Sequence, residues 1–214
     1  FKERDTQLEP SKSGVLGLIC AALGRDRSEP VDDLAQLRMA VRVDREGMPM
    51  RDFQTISNVI TAQAEDDRKS LSKYPVTSNR YFLSDAIFLV ALEGDKTLLS
   101  QIQKSIKAPY WPLSLGRKSF VPSMPIQLPD GLVDQDLWTA LQSWPPLEST
   151  TEKRQKTRDK EHDPEKYRVV MESKTEGSMR LDQPVTPFSE HQFGPRLVTT
   201  YNITLENNDV FEQT

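Results

Sequence analysis

Three residues at the head of an apolar run carry the clearest chemical suggestion in this chain. Lys12, Ser13 and Gly14 follow Pro10 and Ser11 and open the segment Val15-Leu-Gly-Leu-Ile-Cys-Ala-Ala-Leu23. A helix over Ser11 to Leu23 leaves its first N–H groups unpaired and its N-terminus partly positive. With a Lys and two Ser beside it, such a start suits a phosphate. A second basic group, Gly116-Arg117-Lys118-Ser119, superficially matches the end of a nucleotide-binding loop. The required Gly five residues upstream of a Gly-Lys pair is absent, Arg117 separates Gly116 from Lys118, and prolines and aromatics precede the group where a strand is needed. Nucleotide binding is therefore not expected. As a plain basic loop, Arg117, Lys118 and Ser119 could contact a nucleic-acid backbone while Tyr110 and Trp111 stack a base; the plainer alternative is a surface loop with anchoring aromatics.

Acid-base, nucleophilic and metal chemistry find little support. The two histidines, His162 and His191, have no Ser, Cys or second His at an informative spacing. Asp32-Asp33 and Asp66-Asp67 are adjacent pairs whose side chains diverge, which suits solvation better than proton transfer. Cys20 sits inside the apolar run and reads as a small buried hydrophobe. One cysteine cannot build an intrachain disulfide or a Cys-based zinc site, and no metal or other cofactor is expected.

The bulk numbers narrow the class. At 214 residues the chain forms one large domain or two small ones. A net charge of −4 gives no support to a globally basic nucleic-acid surface, though a local basic groove remains compatible with it. Hydrophobic content of 36% points to long polar insertions. No apolar run reaches about 18 residues and no signal peptide is visible, so no membrane association is expected and a cytoplasmic setting fits.

The elements that must position these residues follow from periodicity and punctuation. The first helix is apolar nearly all round, hence buried, and Gly24 is its expected C-cap. A short helical piece spans 31–37, a strand 39–44, a turn 45–49 and an extended segment 50–56. Residues 57–79 lack a period and read as a protruding excursion. Ala86 to Leu92 is a buried strand. Asp95 caps a helix that places Leu98, Leu99, Ile102 and Ile106 on one face and ends before Pro109. A loop over 109–119, a short strand near Ile126 and a helix over 134–144 follow. Residues 148–166 are a charged linker, and 167–171 and 197–205 alternate as strands.

The order helix, strand, strand, helix, strand predicts an α+β, ferredoxin-like (RRM-like) domain over residues 1–130. Residues 57–79 would form its thumb, a protruding β-hairpin, and 131–214 a C-terminal β-containing extension. That fold opens with a strand, so the pattern predicts a strand and loop before Phe1.

These segments together resemble the CasD family of the type I-E CRISPR Cascade. The resemblance rests on Phe1-Lys-Glu-Arg4, Pro10-Ser-Lys-Ser-Gly-Val-Leu-Gly-Leu18 through Gly24, Asp52-Phe-Gln-Thr-Ile56, Arg80-Tyr-Phe-Leu-Ser-Asp-Ala86, Val90-Ala-Leu92, Leu115-Gly-Arg-Lys-Ser119 and Arg180-Leu-Asp182. It covers residues 1–127 well and 180–200 loosely, and its specificity lies in order and spacing. It implies a non-catalytic scaffold that holds the repeat-derived 5′ handle of the guide RNA (crRNA). Such a scaffold caps one end of the complex beside the CasC backbone subunit and the CasA large subunit, and meets target DNA through the assembly. By motif position it implies that Lys12, Ser13 and Gly14 face RNA at the helix start. Arg4 would lie in the preceding RNA-facing loop, Thr55 and Arg80 at the thumb base, and Arg117, Lys118 and Ser119 in the basic loop. Two alternatives stand beside it: a metal-independent endoribonuclease processing CRISPR precursor RNA, and a protein-interaction module without an RNA role.

Overall fold

The computed structural model describes residues 3–57, 75–147 and 166–205. It divides the chain into two compact units, residues 1–8 with 45–86, and residues 9–44 with 87–214.

The larger unit is built on a five-stranded sheet in the order β5-β2-β6-β8-β7. Its strands are β2 (Arg38–Arg45), β5 (Ile87–Glu93), β6 (Lys166–Ser173), β7 (Ser178–Pro184) and β8 (Phe193–Thr204). Helices α1 (Lys12–Leu23), α2 (Asp32–Ala35), α3 (Lys96–Lys107) and α4 (Leu137–Ser143) complete it. Strand alternation sorts the core into two layers. Met39 and Val41 of β2, with Phe88, Val90 and Leu92 of β5, pack with α1, α2 and α3 through Leu16, Ile19, Leu34 and Ile102. Ala40, Leu89 and Ala91 face the opposite way, with Tyr167, Val169 and Ile203, toward Leu137 and Leu141 of α4. Both faces of β2 are thus covered, and its buried run includes Arg42. Among the described strands, the mostly apolar β5 forms one edge of the sheet.

Arg42 is the largest fully buried side chain, and all five of its donors are used. Nε and Nη2 clamp the Asp44 carboxylate at 2.6 and 2.8 Å. Nη1 donates to the carbonyls of Leu141 (2.5 Å) and Trp144 (2.6 Å), and Nη2 to that of Pro145 (2.9 Å). Asp44 in turn accepts the Leu147 N–H at 2.6 Å, and the guanidinium lies 5.6 Å from the centre of the Tyr167 ring. The cluster fastens the open carbonyl end of α4 to β2.

The smaller unit holds a three-stranded sheet in the order β1-β4-β3, from β1 (Glu3–Arg4), β3 (Met48–Ile56) and β4 (Val76–Ser84). β3 and β4 are antiparallel without a register break from Met48↔Ser84 to Ile56↔Val76. Most of β3 is exposed.

Several expectations hold with small changes of boundary. Ser11 caps α1 by accepting the Gly14 N–H at 3.2 Å, Gly24 ends it at φ 75°, and Asp95 caps α3 through the Leu98 N–H at 2.8 Å. The mixed α and β character is as expected. Three points differ. No strand forms near Ile126, where Pro122, Pro125 and Pro129 withhold backbone donors. β1 and β7 were not anticipated. Residues 76–79, expected in the excursion, belong to β4. β6, β7 and β8, from the expected C-terminal extension, join β2 and β5 in one sheet. Of the expected thumb, residues 58–74 lie outside the described residues, as do 148–165 of the charged linker.

Candidate nucleic-acid interface

The start of α1 is already supplied with an anion. The Lys12 N–H donates to Asp182 Oδ2 at 2.8 Å, and Arg196 holds the same carboxylate through Nε (2.6 Å) and Nη2 (2.9 Å). Burial alone would raise the Asp182 pKa. The bonds and charge of Arg196, with the Lys12 N–H, outweigh it and hold the carboxyl below its ordinary value. The Lys12 side chain is 1% exposed, with Nζ 3.1 Å from Glu172 Oε2. Its pKa is lowered, because desolvation exceeds the opposing pull of Glu172. Glu172 also accepts the Met39 N–H at 3.2 Å. Nearby in the sheet, Glu9 bridges Arg168 and Arg180, each at 2.8 Å. Lys12 therefore points into an internal ion network and not outward, contrary to the expectation that it faces RNA. Ser13 and Gly14 remain partly accessible, with the Ser13 hydroxyl 3.3 Å from that of Ser11.

The polarity of β7 explains this network. A register shift lies between Arg180 and Gln183, two residues that pair with Arg196 and Gly194. The extra residue lets Asp182 reach Lys12 and the next residue, Gln183, reach the Ala35 carbonyl at 2.8 Å, while Leu181 stays in solvent. Arg180-Leu-Asp182 carries the family resemblance, yet its local sequence suggests no role for it. No local signal ties Asp182 to a helix start 170 residues earlier.

The basic loop lies along α1. Tyr110 and Trp111 donate their N–H groups to the Ala22 (3.0 Å) and Ala21 (3.1 Å) carbonyls, near the helix end. At the helix start, a Cβ placed on Gly14 would lie 3.6 Å from Leu115 Cδ1. Gly116 (φ 74°) then turns the chain, the Arg117 guanidinium lies 5.5 Å from the Phe120 ring centre, and Lys118 and Ser119 are exposed. Gly14 and the basic loop, separate in sequence, are thus neighbours.

In the smaller unit, Arg4 and Arg80 are direct register partners on parallel strands. Arg80 also pairs with Asp52 of β3, which accepts a bond from Gln54 Nε2 at 2.6 Å. One face therefore carries the row Arg4–Arg80–Asp52 across three strands. Arg80 Nε and the neighbouring Asn79 Oδ1 are buried without a hydrogen-bond partner among the described residues. Thr55 pairs with Thr77, three positions along, so alternation puts it on the opposite face with Arg51, Phe53 and Tyr81. The structure joins Arg4 to Arg80 and separates Thr55 from both.

Other chemistry is sparse among the described residues. No group of three or more His, Cys, Asp or Glu could hold a metal ion. His191 is exposed at φ 54°, with Nε2 3.3 Å from Arg27 Nη2, and His162 lies outside the described residues. Burial pushes the Cys20 thiol up to about 11. No described helix is long and apolar enough to cross a membrane.

With that geometry in hand, comparison with known proteins is direct. The model of the family described as CRISPR-associated protein (Cas_Cas5) matches residues 1–199, and this chain belongs to that family. The chain is similar to the CRISPR system Cascade subunit CasD of Escherichia coli (strain K12), 31% identical over 130 residues. That match takes in 54% of this chain and 56% of CasD, so the chain spans a little over half the length of this relative. Among solved structures, a crystal structure of a Cas protein superposes with a TM-score of 0.72 at 42% identity, covering 94% of this chain and 84% of that one. A chain of a CRISPR RNA-guided surveillance complex gives 0.71 at 28% identity, covering 96% and 83%.

Proposed function

We propose that this chain is a non-catalytic, cytoplasmic Cascade subunit that binds the 5′ handle of the guide RNA in antiviral defence. It would cap the complex beside the CasC backbone and CasA large subunits, and meet target DNA only through the assembly. Family membership and the likeness to CasD and to a surveillance complex support the setting. The ferredoxin-like reading draws support from β2 and β5 lying side by side, with α1 and α3 packed on one face.

The observation that carries the RNA reading is the pairing of Arg4 with Arg80. Like charges at paired strand positions repel, and a phosphate between two guanidiniums relieves that repulsion while forming charge-assisted bonds. The buried Arg80 Nε adds a donor for a backbone or base acceptor. Ser13, Gly14, Arg117, Lys118 and Ser119 offer a second set of contacts at the head of α1. Lys12 acts from beneath, holding the helix start in place through Glu172. Thr55 contacts RNA from the other face of its hairpin. These contacts position a backbone, and discrimination among bases comes from splayed nucleotides.

The test is RNA recovery. The double variant Arg80→Ala with Lys118→Glu is purified with tagged neighbouring subunits, and the guide RNA is extracted and quantified. Recovery falls severalfold while the melting temperature holds. Unchanged recovery removes the assigned surface. Incubating the wild-type chain with a repeat-hairpin RNA in EDTA leaves the RNA intact, and specific cleavage would replace this reading with the endoribonuclease.

A further inference from the structure

We propose that Tyr110 and Trp111 form a stacking platform for unpaired bases of single-stranded RNA, a site beyond the motif residues that rests on the guide-RNA reading above. Tyr110 is 73% and Trp111 41% exposed, large rings left in water. They are not loose. Their N–H groups are bonded to the Ala22 and Ala21 carbonyls, and the Tyr110 ring covers Gly24 so closely that a Cβ there would lie 2.8 Å from its Cγ. The ring centroids are 5.3 Å apart at 39°, a tilted pair on a fixed backbone.

Charge decides the class of occupant. From Ala108 to Phe120 the chain contains Arg117 and Lys118 and no acidic residue, although the whole chain carries −4. Exposed Lys104 and Lys107 occupy the last turn of α3, just before the rings, and exposed Lys118 follows them. A protein-docking aromatic is ordinarily set in an apolar surround from which Lys is depleted. Rings flanked in sequence by lysines on both sides, with Leu115 the one large aliphatic exposed between them, match the pattern of single-strand binding, where cations track the backbone and aromatics take the bases. From Ala22 to Gly14 the loop follows α1 for about 12 Å, so stacking at one end and phosphate contacts at the other suit a short run of nucleotides.

Affinity is measured for the full chain with a fluorescent single-stranded RNA octamer and with an abasic oligonucleotide of equal phosphate number. Replacing both rings, Tyr110→Ala with Trp111→Ala, weakens octamer binding about tenfold or more. Abasic binding and the salt dependence of octamer binding stay as they were. Tyr110→Phe with Trp111→Phe retains octamer affinity, whereas Tyr110→Leu with Trp111→Leu, which keeps apolar bulk without a π-face, does not. Equal octamer affinity in the wild type and the Ala and Leu variants overturns the platform, as does an equal loss on both probes. If Lys118→Glu weakens binding while the ring variants do not, the platform falls and the RNA reading stands. If the wild type binds neither probe, both fall. Unchanged RNA affinity with lost capture of neighbouring subunits would assign the rings to a protein contact.

Discussion

Arg42 and Arg80 each sit at the middle of a strand, and they differ in how far the fold satisfies them. Arg42 is enclosed in a doubly covered strand, with five donors matched to a carboxylate and three carbonyls. Arg80 stands in a three-stranded sheet between Arg4 and Asp52, with a buried Nε unmatched among the described residues. A guanidinium that the fold has fully satisfied has nothing left for a ligand. One with a donor left unmatched has a bond still to make, at some expense in stability.

Substitution sharpens the contrast. The largest effect belongs to Arg42→Met, which leaves the buried Asp44 charge and the end of α4 without partners. It lowers unfolding free energy by about 3–5 kcal/mol in a urea titration. A loss under about 1 kcal/mol would mean that the cluster is not the fastening assigned to it.

Next comes Asp182→Asn, which keeps an acceptor for the Lys12 N–H but removes the charge facing Arg196, and costs about 1–3 kcal/mol near neutral pH. Its pH dependence follows from the depressed Asp182 pKa. The folded state binds this proton less readily than the unfolded state, so the stabilisation is complete above the ordinary value of 3.8 and drains as pH falls below it. Melting curves of wild type and variant therefore converge in acid, and a constant offset down to pH 2 would exclude this linkage.

The smallest effect is expected at Arg80. Arg80→Met removes an unmatched buried donor, so stability stays within about 0.5 kcal/mol or rises slightly, while RNA recovery falls. A large destabilisation would place Arg80 with Arg42 among the structural arginines.

What was legible in the sequence was local. α1 and α3 announced themselves through Ser11, Gly24, Asp95 and Pro109, whose effects act within a turn. β7 was hidden because its pattern is inverted: Met179 and Leu181 face solvent while Arg180 and Asp182 turn inward to ion partners. The site was legible in the same uneven way. The loop chemistry of Arg117 to Ser119 was readable where it stood, and the motif pattern pointed to Arg4 and Arg80. Their adjacency, though, depends on a strand pairing across 75 intervening residues. The apparent role of Lys12 as an outward cation was undone by Glu172, 160 residues away. Periodicity contains nothing about such distant partners.

The two borders of the large sheet carry a consequence for handling the protein. At β7, the register shift, Pro184 and charged side chains spoil any template for a further strand. At β5, the run Ile87-Phe-Leu-Val-Ala-Leu92 is apolar and free of proline and lysine. Among the described strands nothing of that kind protects β5, so a charge introduced along it is the change expected to reduce edge-to-edge association in a concentrated preparation.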